Sequence, residues 1–315
     1  MRVSVVIPIL NEESVLPELL RRLCAVLDST AGGPHEIVIV DDGSTDATPD
    51  ILRRESQRDN RIIGVVLSRN FGHQAALSAG LAHASGEAII AMDGDLQDPP
   101  ESIPLFLEKY AQGYDVVYAQ RVQRKEVWWL RLCYYAFYRL ITALSGIRLP
   151  LDAGDFGLMS RRVVNQLLEM PEYHRYLRGM RTWIGFRQIG IPIERAERHA
   201  GEPKYSTLKL LKLASDGIFS FSTVPLRFAA ILGAVAISLS AVYALYSIYV
   251  KLVEGRSPQG FTAIIVAIIF LAGIQLFFMG VIGEYVGRLY EASKGRPVYI
   301  VAERIGRGKQ LADSK

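Results

Sequence analysis

"EAIIAMDGDLQDPPE" (87–101) starts as an apolar run and ends as an acidic turn. Side chains that are apolar on both faces suit a strand inside a parallel sheet, covered by helices on each side. Asp93 and Asp95 stand one residue apart, and Asp98 directly precedes Pro99 and Pro100. Gly94 is expected to let the loop turn so that both carboxylates face one ion. The two prolines stop the extended chain and suit the start of a helix, where a missing N–H does no harm. Packed carboxylates repel, and a hard divalent cation is the usual remedy. Mg²⁺ and Mn²⁺ prefer oxygen ligands, often one or two carboxylates plus substrate phosphates. D-x-D alone is a weak pattern, and a solvated acidic turn is the competing reading.

The flanking sequence repeats the strand-then-polar-turn arrangement. "VSVVIPI" (3–9) reads as a strand, and Val15, Leu16, Leu19, Leu20, Leu23, Val26 and Leu27 follow at helical spacing. "EIVIVDDGS" (36–44), "RIIGVVLS" (61–68) and "DVVYAQ" (115–120) read as further strands. The small-residue helix "HQAALSAGLAHA" (73–84) and a helix near 101–111 lie among them. This alternation predicts an α/β fold, a mostly parallel sheet with helices on both faces. Ligands of such sheets bind beyond the carboxyl ends of the strands. Three of those ends are polar: "PILNEE", "DDGSTD" and "DGDLQD". No G-x-G-x-x-G follows the first strand and no G-x-x-x-x-G-K is present, which speaks against dinucleotide oxidoreduction and P-loop hydrolysis.

The C-terminal third is of another kind. "FAAILGAVAISLSAVYALYSIY" (228–249) and "FTAIIVAIIFLAGIQLFFMGVIG" (261–283) carry no charge, and each is about the ~20 residues that cross hydrocarbon as a helix. "KLVEGRSPQG" (251–260) joins them, so they form a transmembrane hairpin with both flanks on one side. Basic residues gather in those flanks, among them Lys209, Lys212, Arg227, Arg288, Lys294 and Arg296, which places the flanks in the cytoplasm of an inner, or plasma, membrane protein. The N-terminal apolar stretch is too short for a signal peptide. Cys24 and Cys133, the only cysteines, fit a reducing compartment rather than a disulfide framework. The net charge of +4 suits a membrane surface better than nucleic acid.

In this order, and ahead of two membrane spans, "VVIPILNEE", "VDDGSTD", "LSRNFG", "DGDLQDPPE" and "GDFGLMSRR" resemble the family 2 glycosyltransferases that load sugars onto polyprenyl phosphate. That group includes dolichol-phosphate mannose synthase and bacterial undecaprenyl-phosphate glucosyltransferases. The resemblance covers nearly the whole chain. It implies a GT-A fold, a nucleotide-sugar donor (a UDP-sugar favoured), a polyprenyl phosphate acceptor and Mg²⁺ or Mn²⁺. Asp42 would hold the base or ribose, with Pro8 and Glu12 lining the pocket, Asp41 beside them and Arg69 near the donor. Asp93, Asp95 and Gln97 match the metal- and diphosphate-binding group. The family often has Ala where this chain has Gly94. Asp155 matches a catalytic base, and Arg121 and Lys204 match basic positions near the acceptor phosphate.

In the implied reaction the lipid phosphate attacks the anomeric carbon and nucleoside diphosphate leaves. A phosphate monoester, with a second pKa of roughly 6, is mostly dianionic at neutral pH. A strong base is therefore less necessary, and Asp155 is expected to orient the acceptor or order the metal site. Arg161 and Arg162 are further candidates for the acceptor phosphate. "EVWWLRLCYYAFYRLITALSG" (126–146) and "YSTLKLLKLASDGIFSFS" (205–222) have the aromatic and basic character of interface helices. The expected organisation is a catalytic domain over 1–204, a juxtamembrane helix over 205–227, the spans over 228–283 and a tail over 284–315. The tail's "RPVYIVAERIG" (296–306) reads as an exposed strand, which predicts a homo-oligomer. A processive polysaccharide synthase is disfavoured, because "RGMRTW" (178–183) departs from Q-x-x-R-W and one hairpin is too little for a pore. A nucleotide-sugar sensor without turnover would have no need of the acidic set. The wording of the motifs is closest to glucosyl members, so UDP-glucose is the favoured donor.

Overall fold

The computed structural model describes residues 1–121, 153–173, 175–194, 224–254 and 260–306. The chain divides into two compact units. The first comprises Met1–Arg139, Ile147–Leu208 and Arg296–Lys315, and holds the sheet; the second comprises Leu140–Gly146 and Lys209–Gly295.

The expected strands form as β1 (Val3–Ile9), β2 (Glu36–Asp41), β3 (Ile62–Leu67), β4 (Ala88–Ala91) and β5 (Val116–Arg121). β1, β2 and β4 are buried throughout, as strands covered on both faces must be. Between them lie α1 (Leu16–Ser29), α2 (Thr48–Arg58), α3 (His73–His83) and α4 (Ile103–Ala111), the last entered through a 3₁₀ turn at Pro100–Ser102. α1 buries Leu16, Leu19, Leu20, Leu23, Val26 and Leu27 on one face. α3 is built of small residues because it lies close on the sheet: a Cβ added to Gly80 would stand 2.2 Å from Val6 Cγ1.

Two strands were not legible as such. β6 (Ala153–Ser160) carries two glycines and no β-branched residue, and β7 (Gln188–Ile193) carries Gly190 and Pro192. Both are weak strand sequences that pairing with neighbours holds extended. With β8 (Val301–Ile305) the order is β7-β5-β6-β4-β1-β2-β3-β8. β6 runs antiparallel to both β4 and β5, and β8 antiparallel to β3, while the other strands share one direction. Since β6 runs backwards, its first residues arrive where β4 and β5 end. The mostly parallel reading holds, with this reversal added.

The opposite, amino-terminal end of the sheet is clamped by one buried carboxylate. Glu36 accepts hydrogen bonds from Ser4 Oγ (2.6 Å), Ser85 N–H (2.5 Å), Ser85 Oγ (2.7 Å) and Arg2 Nη2 (2.6 Å). Gly86 N–H donates in turn to Ser4 Oγ at 2.7 Å. The clamp ties β1, β2 and the approach to β4 together at the base and leaves the other rim to the loops. Arg161 and Arg162 belong to this base. Arg161 donates to the carbonyls of Ala84 and Gly86, and Arg162 grips Asp115 with two hydrogen bonds. They open α5 (Arg161–Glu169), at the far end of β6 from Asp155, so they are not acceptor ligands.

The tail is divided differently from expectation. β8 pairs with β3 of its own chain, and Arg53 bonds Glu303 across it. The argument for an oligomer started from a tail strand without a partner in its own chain, and that premise does not hold.

In the second unit α7 (Val224–Glu254) and α8 (Phe261–Ser293) contain stretches long and apolar enough to cross a membrane, Leu226–Val253 and Ala267–Ser293. Their apolar side chains face outward, Ile237, Leu245, Leu252, Phe270, Phe277 and Leu289 among them. Hydrocarbon is the solvent such a surface suits, and the protein is membrane-associated. Arg288 Nε donates to Glu284 Oε1 at 2.9 Å, the helical ion pair its spacing predicts.

Glu36→Gln should lower stability by about 1.5–3 kcal/mol at neutral pH, the range for hydrogen bonds to a charged group. Burial would raise the Glu36 carboxyl, but Ser4, Ser85 and Arg2 outweigh it and hold the pKa below the ordinary value. Its contribution is therefore full above the ordinary carboxylate range and is lost as pH falls through the folded-state value. Thermal unfolding of the solubilised full chain between about pH 3 and 7 should show a steeper acid loss in the wild type than in Glu36→Gln.

Candidate active site

The rim at the carboxyl ends of β1 to β3 is a set of loops bound to one another by short polar contacts. Asn11 adopts φ +55°, which Asn tolerates better than most residues. Its N–H donates to Ser44 Oγ at 2.8 Å, and its Oδ1 accepts from Thr45 N–H at 2.8 Å. Glu12 N–H donates to Thr48 Oγ1, while the Glu12 carbonyl receives the first N–H groups of α1. Gly43 has φ +75°, and a Cβ there would meet Arg69 C at 2.7 Å, so the β2 and β3 loops touch through backbone.

Asp42 joins those loops chemically. Its two oxygens accept from Phe71 N–H (2.8 Å) and Gly72 N–H (2.9 Å), which fixes the turn entering α3. Asp42 is buried and Asp41 wholly so. Asp41 Oδ1 accepts from Ser44 N–H, and Oδ2 is buried with no hydrogen-bond partner. Burial pushes both carboxyls up, with the bonds to Ser44 and to Phe71 and Gly72 acting against it. Both carboxylates thus brace the rim from beneath. Pro8 is also buried, within β1, and Arg69 is exposed with its guanidinium 4.1 Å from the Phe71 ring centre.

After β4 the acid stretch folds over itself. Gln97 N–H donates to Asp95 Oδ1 at 3.1 Å, and Leu96 takes φ +59°. The turn falls at Gly94–Asp95, as expected, and Leu96 adds a bend after it. Gly94 is required for space: a Cβ there would stand 2.6 Å from Ile9 Cγ2. Asp98 is buried.

α3 begins at His73, directly after the turn that Asp42 holds. His73 Nε2 lies 3.7 Å from Asp93 Oδ1 and 3.7 Å from Asp155 Oδ2, so the imidazole links the acid stretch to the start of β6. Burial pulls the His73 pKa down, and Asp155 and Asp93 together raise it above the ordinary value. Asp155 is placed by strand alternation. Its neighbour Phe156 is buried on the opposite face against Phe106 of α4, ring centres 4.8 Å apart.

α6 (Leu177–Ile184) lies over this corner. Gln74 Oε1 accepts from Leu177 N–H at 3.0 Å, tying the start of α6 to the start of α3. Arg178 then reaches Asp155 with both arms, Nε to Oδ1 at 3.1 Å and Nη2 to Oδ2 at 3.0 Å. Burial would raise the Asp155 carboxyl, but Arg178 and His73 outweigh it and hold it well below the usual carboxylate range. A carboxylate so held is a poor proton acceptor and a firm anchor.

Asp93, Asp95 and Asp155 thus come to one rim with Asp42 beneath. Arg121 is the last residue of β5, which ends at the same rim, in register with Ile193. Lys204 and both proposed interface helices lie outside the described residues. His73, Gln74, Arg178 and Arg181 were not anticipated as site residues. Their signal was present in a histidine opening a helix straight after "NFG", and in two arginines three apart in "RGMRTW".

The donor set suits a hard divalent cation. Asp93 and Asp95 carry carboxylate oxygens on one loop at the carboxyl end of β4. That fits Mg²⁺ or Mn²⁺ held by one or two carboxylates, with the remaining ligands from substrate phosphate and water.

Comparison with known proteins finds relatives over nearly the whole chain. The pattern of the family described as "Glycosyl transferase family 2" matches residues 4–168, and that of the "GtrB C-terminal hairpin" matches residues 224–289. The chain is 42% identical over 304 residues to an uncharacterized glycosyltransferase, YkcC, of Bacillus subtilis (strain 168), covering 96% of this chain and 94% of that protein. It is 40% identical over 311 residues to the bactoprenol glucosyl transferase of Shigella phage SfV, covering 96% and 98%. Among solved structures, glucosyl-3-phosphoglycerate synthase from Mycobacterium tuberculosis has a TM-score of 0.47 at 21% identity, covering 70% of this chain and 78% of that one.

Asp155→Asn and Arg178→Gln should each destabilise the full chain, and the double variant should cost less than their sum. A coupling of about 0.5–3 kcal/mol is expected for groups in direct contact. Thermal unfolding of the four proteins measures it, and additive losses would contradict the pairing.

Proposed function

The chain belongs to glycosyl transferase family 2, and from that membership we propose that it moves a glucosyl group from UDP-glucose to a polyprenyl phosphate at the cytoplasmic face of the inner membrane. It is a transferase: its relatives across nearly the whole length are named glycosyltransferases and bactoprenol glucosyl transferases. The observation that carries the reading is the meeting of Asp93, His73 and Asp155 at one rim, in a chain that also carries a membrane hairpin. A donor diphosphate at the acidic end and a lipid-borne acceptor at the other would meet across that corner.

In the reaction proposed, an oxygen of the acceptor phosphate forms a bond to the anomeric carbon. The bond from that carbon to the diphosphate oxygen breaks, with its electron pair leaving on UDP. The product is a glycosyl phosphodiester of the lipid with inverted configuration. No proton must be removed from a dianionic acceptor. Asp155, engaged by both arms of Arg178, therefore positions the α6 cation and His73 instead of acting as a base. Asp93 and Asp95, with Gln97 beside them, would hold the divalent cation, whose chemistry is to stabilise negative charge on the leaving diphosphate. Asp42 keeps the donor loop at Phe71–Gly72 in place, with Pro8, Glu12, Asp41 and Arg69 around the nucleotide. Arg121 and Lys204 are proposed to meet the acceptor phosphate. The basic flanks of the hairpin support cytoplasmic placement of the site.

A panel of nucleotide sugars given to the purified full chain with Mn²⁺ and a short polyprenyl phosphate, read by glycolipid mass, should give product from UDP-glucose foremost. Product from another nucleotide sugar alone would overturn the donor assignment and leave the reaction class standing. Asp95→Asn should insert normally and lose roughly a hundredfold or more in turnover, as expected when preorganised charge stabilisation is removed. Chelation should abolish wild-type turnover, and full turnover in chelator would remove the cation from the scheme.

A further inference from the structure

Arg181 lies three residues after Arg178 on α6, on the same helix face. It is only 4% exposed, and its Nε and Nη2 are buried with no hydrogen-bond partner. The helix is fixed at this point, because Gln188 Nε2 donates to the Arg181 carbonyl at 2.9 Å. The Tyr118 ring of β5 sits 5.2 Å from the guanidinium carbon, a cation–π contact that offsets part of the burial. Asp155 is the carboxylate at this corner, and both its oxygens are engaged by Arg178. Arg181 is therefore a second, buried guanidinium on the helix that supplies Arg178 to Asp155. Burial lowers the Arg181 pKa to about 10, with Asp155 acting against it, so the group stays charged at neutral pH.

A buried cation without its own acceptor costs several kcal/mol and persists where an anion completes it. Nε and Nη2 are adjacent donors on one edge of the guanidinium, the fork that matches two oxygens of a phosphate. We propose that Arg181, backed by Tyr118, is the receptor for the phosphate group of the lipid acceptor. The assignment rests on the lipid-acceptor reading above and adds a residue to it. The direction of the reaction selects the acceptor over the donor. The diphosphate belongs with the cation at Asp93 and Asp95, and His73 separates that end from Asp155 and α6. An inverting displacement brings the nucleophile from the side opposite the leaving group, and with the diphosphate at Asp93 the cations of α6 stand across His73 from it. β5 leads from Tyr118 to Arg121 at the rim, so the strand that backs the guanidinium also carries a cation at its exit. Arg181 is a positioning residue that would hold the nucleophilic phosphate and fix its angle of attack.

The test compares wild type, Arg181→Gln and Arg181→Lys in the full-length protein, with farnesyl phosphate and farnesol as probes for direct binding and a short polyprenyl phosphate for kinetics. Loss of a charged bidentate contact should raise the acceptor KM of Arg181→Gln by roughly tenfold to a hundredfold, with KM for UDP-glucose within about twofold. Wild type should bind farnesyl phosphate and not farnesol, and Arg181→Gln should lose that preference. Arg181→Lys keeps the charge without the fork, and should fall between the two; it carries the test if the Gln variant does not fold. An unchanged acceptor KM, or a rise in the donor KM instead, would overturn the assignment while leaving the proposed function intact. Wild type with no affinity for farnesyl phosphate and no turnover of any polyprenyl phosphate would overturn the lipid-acceptor reading itself.

Discussion

Carboxylates collected at one rim of a sheet repel each other, and the architecture follows from how that repulsion is met. Asp155 is met within the protein by the two arms of Arg178. Asp42 is met by two backbone N–H groups. Asp93 and Asp95 have a rim position that suits a cation arriving with the substrate. Asp155 and Asp42, held by fixed partners, act as scaffold for the rim. His73 stands between the two kinds, within 3.7 Å of one carboxylate from each.

Much of this was legible in the sequence. Strands apolar on both faces and ending in polar loops announced the parallel core and the rim where a ligand belongs, and two long uncharged runs announced the hairpin. The homology of the whole chain to glycosyl transferases agrees with that reading. What stayed hidden came from chain reversal and from packing. β6 is too rich in glycine to read as a strand, yet its reversed direction is the reason Asp155 meets Asp93. Gly94 lies in the turn expected of it, and the second reason for a glycine there, clearance for Ile9, came only from packing. Arg161 and Arg162 were reasonable phosphate ligands by type, and only the sheet shows that they lie at its base. Arg178 and Arg181 were noticed for the motif they fail to make, because spacing alone does not tell which carboxylate a guanidinium will find.

The division of labour between the two ends of the sheet also has a physical reason. Around Glu36 both carboxylate oxygens are engaged by short hydrogen bonds, which suits a part that must not move. At the opposite rim Asp41 Oδ2 and two nitrogens of Arg181 are buried without partners. Polar groups left so in a folded protein mark places where stability gives way to function. The base can be strong because it does nothing else.

The tail strand carries a consequence for how the molecule is made. β8 lies beside β3, yet between them in the chain come the rest of the sheet and both membrane helices. A ribosome adding ~5–20 residues per second leaves the edge of β3 uncovered for on the order of tens of seconds, while the two apolar helices are being made. The unit that holds the sheet is therefore closed along β3 by a segment made after both apolar helices. Until β8 is made, a nascent chain keeps an open β edge, the kind of surface on which chains pair wrongly.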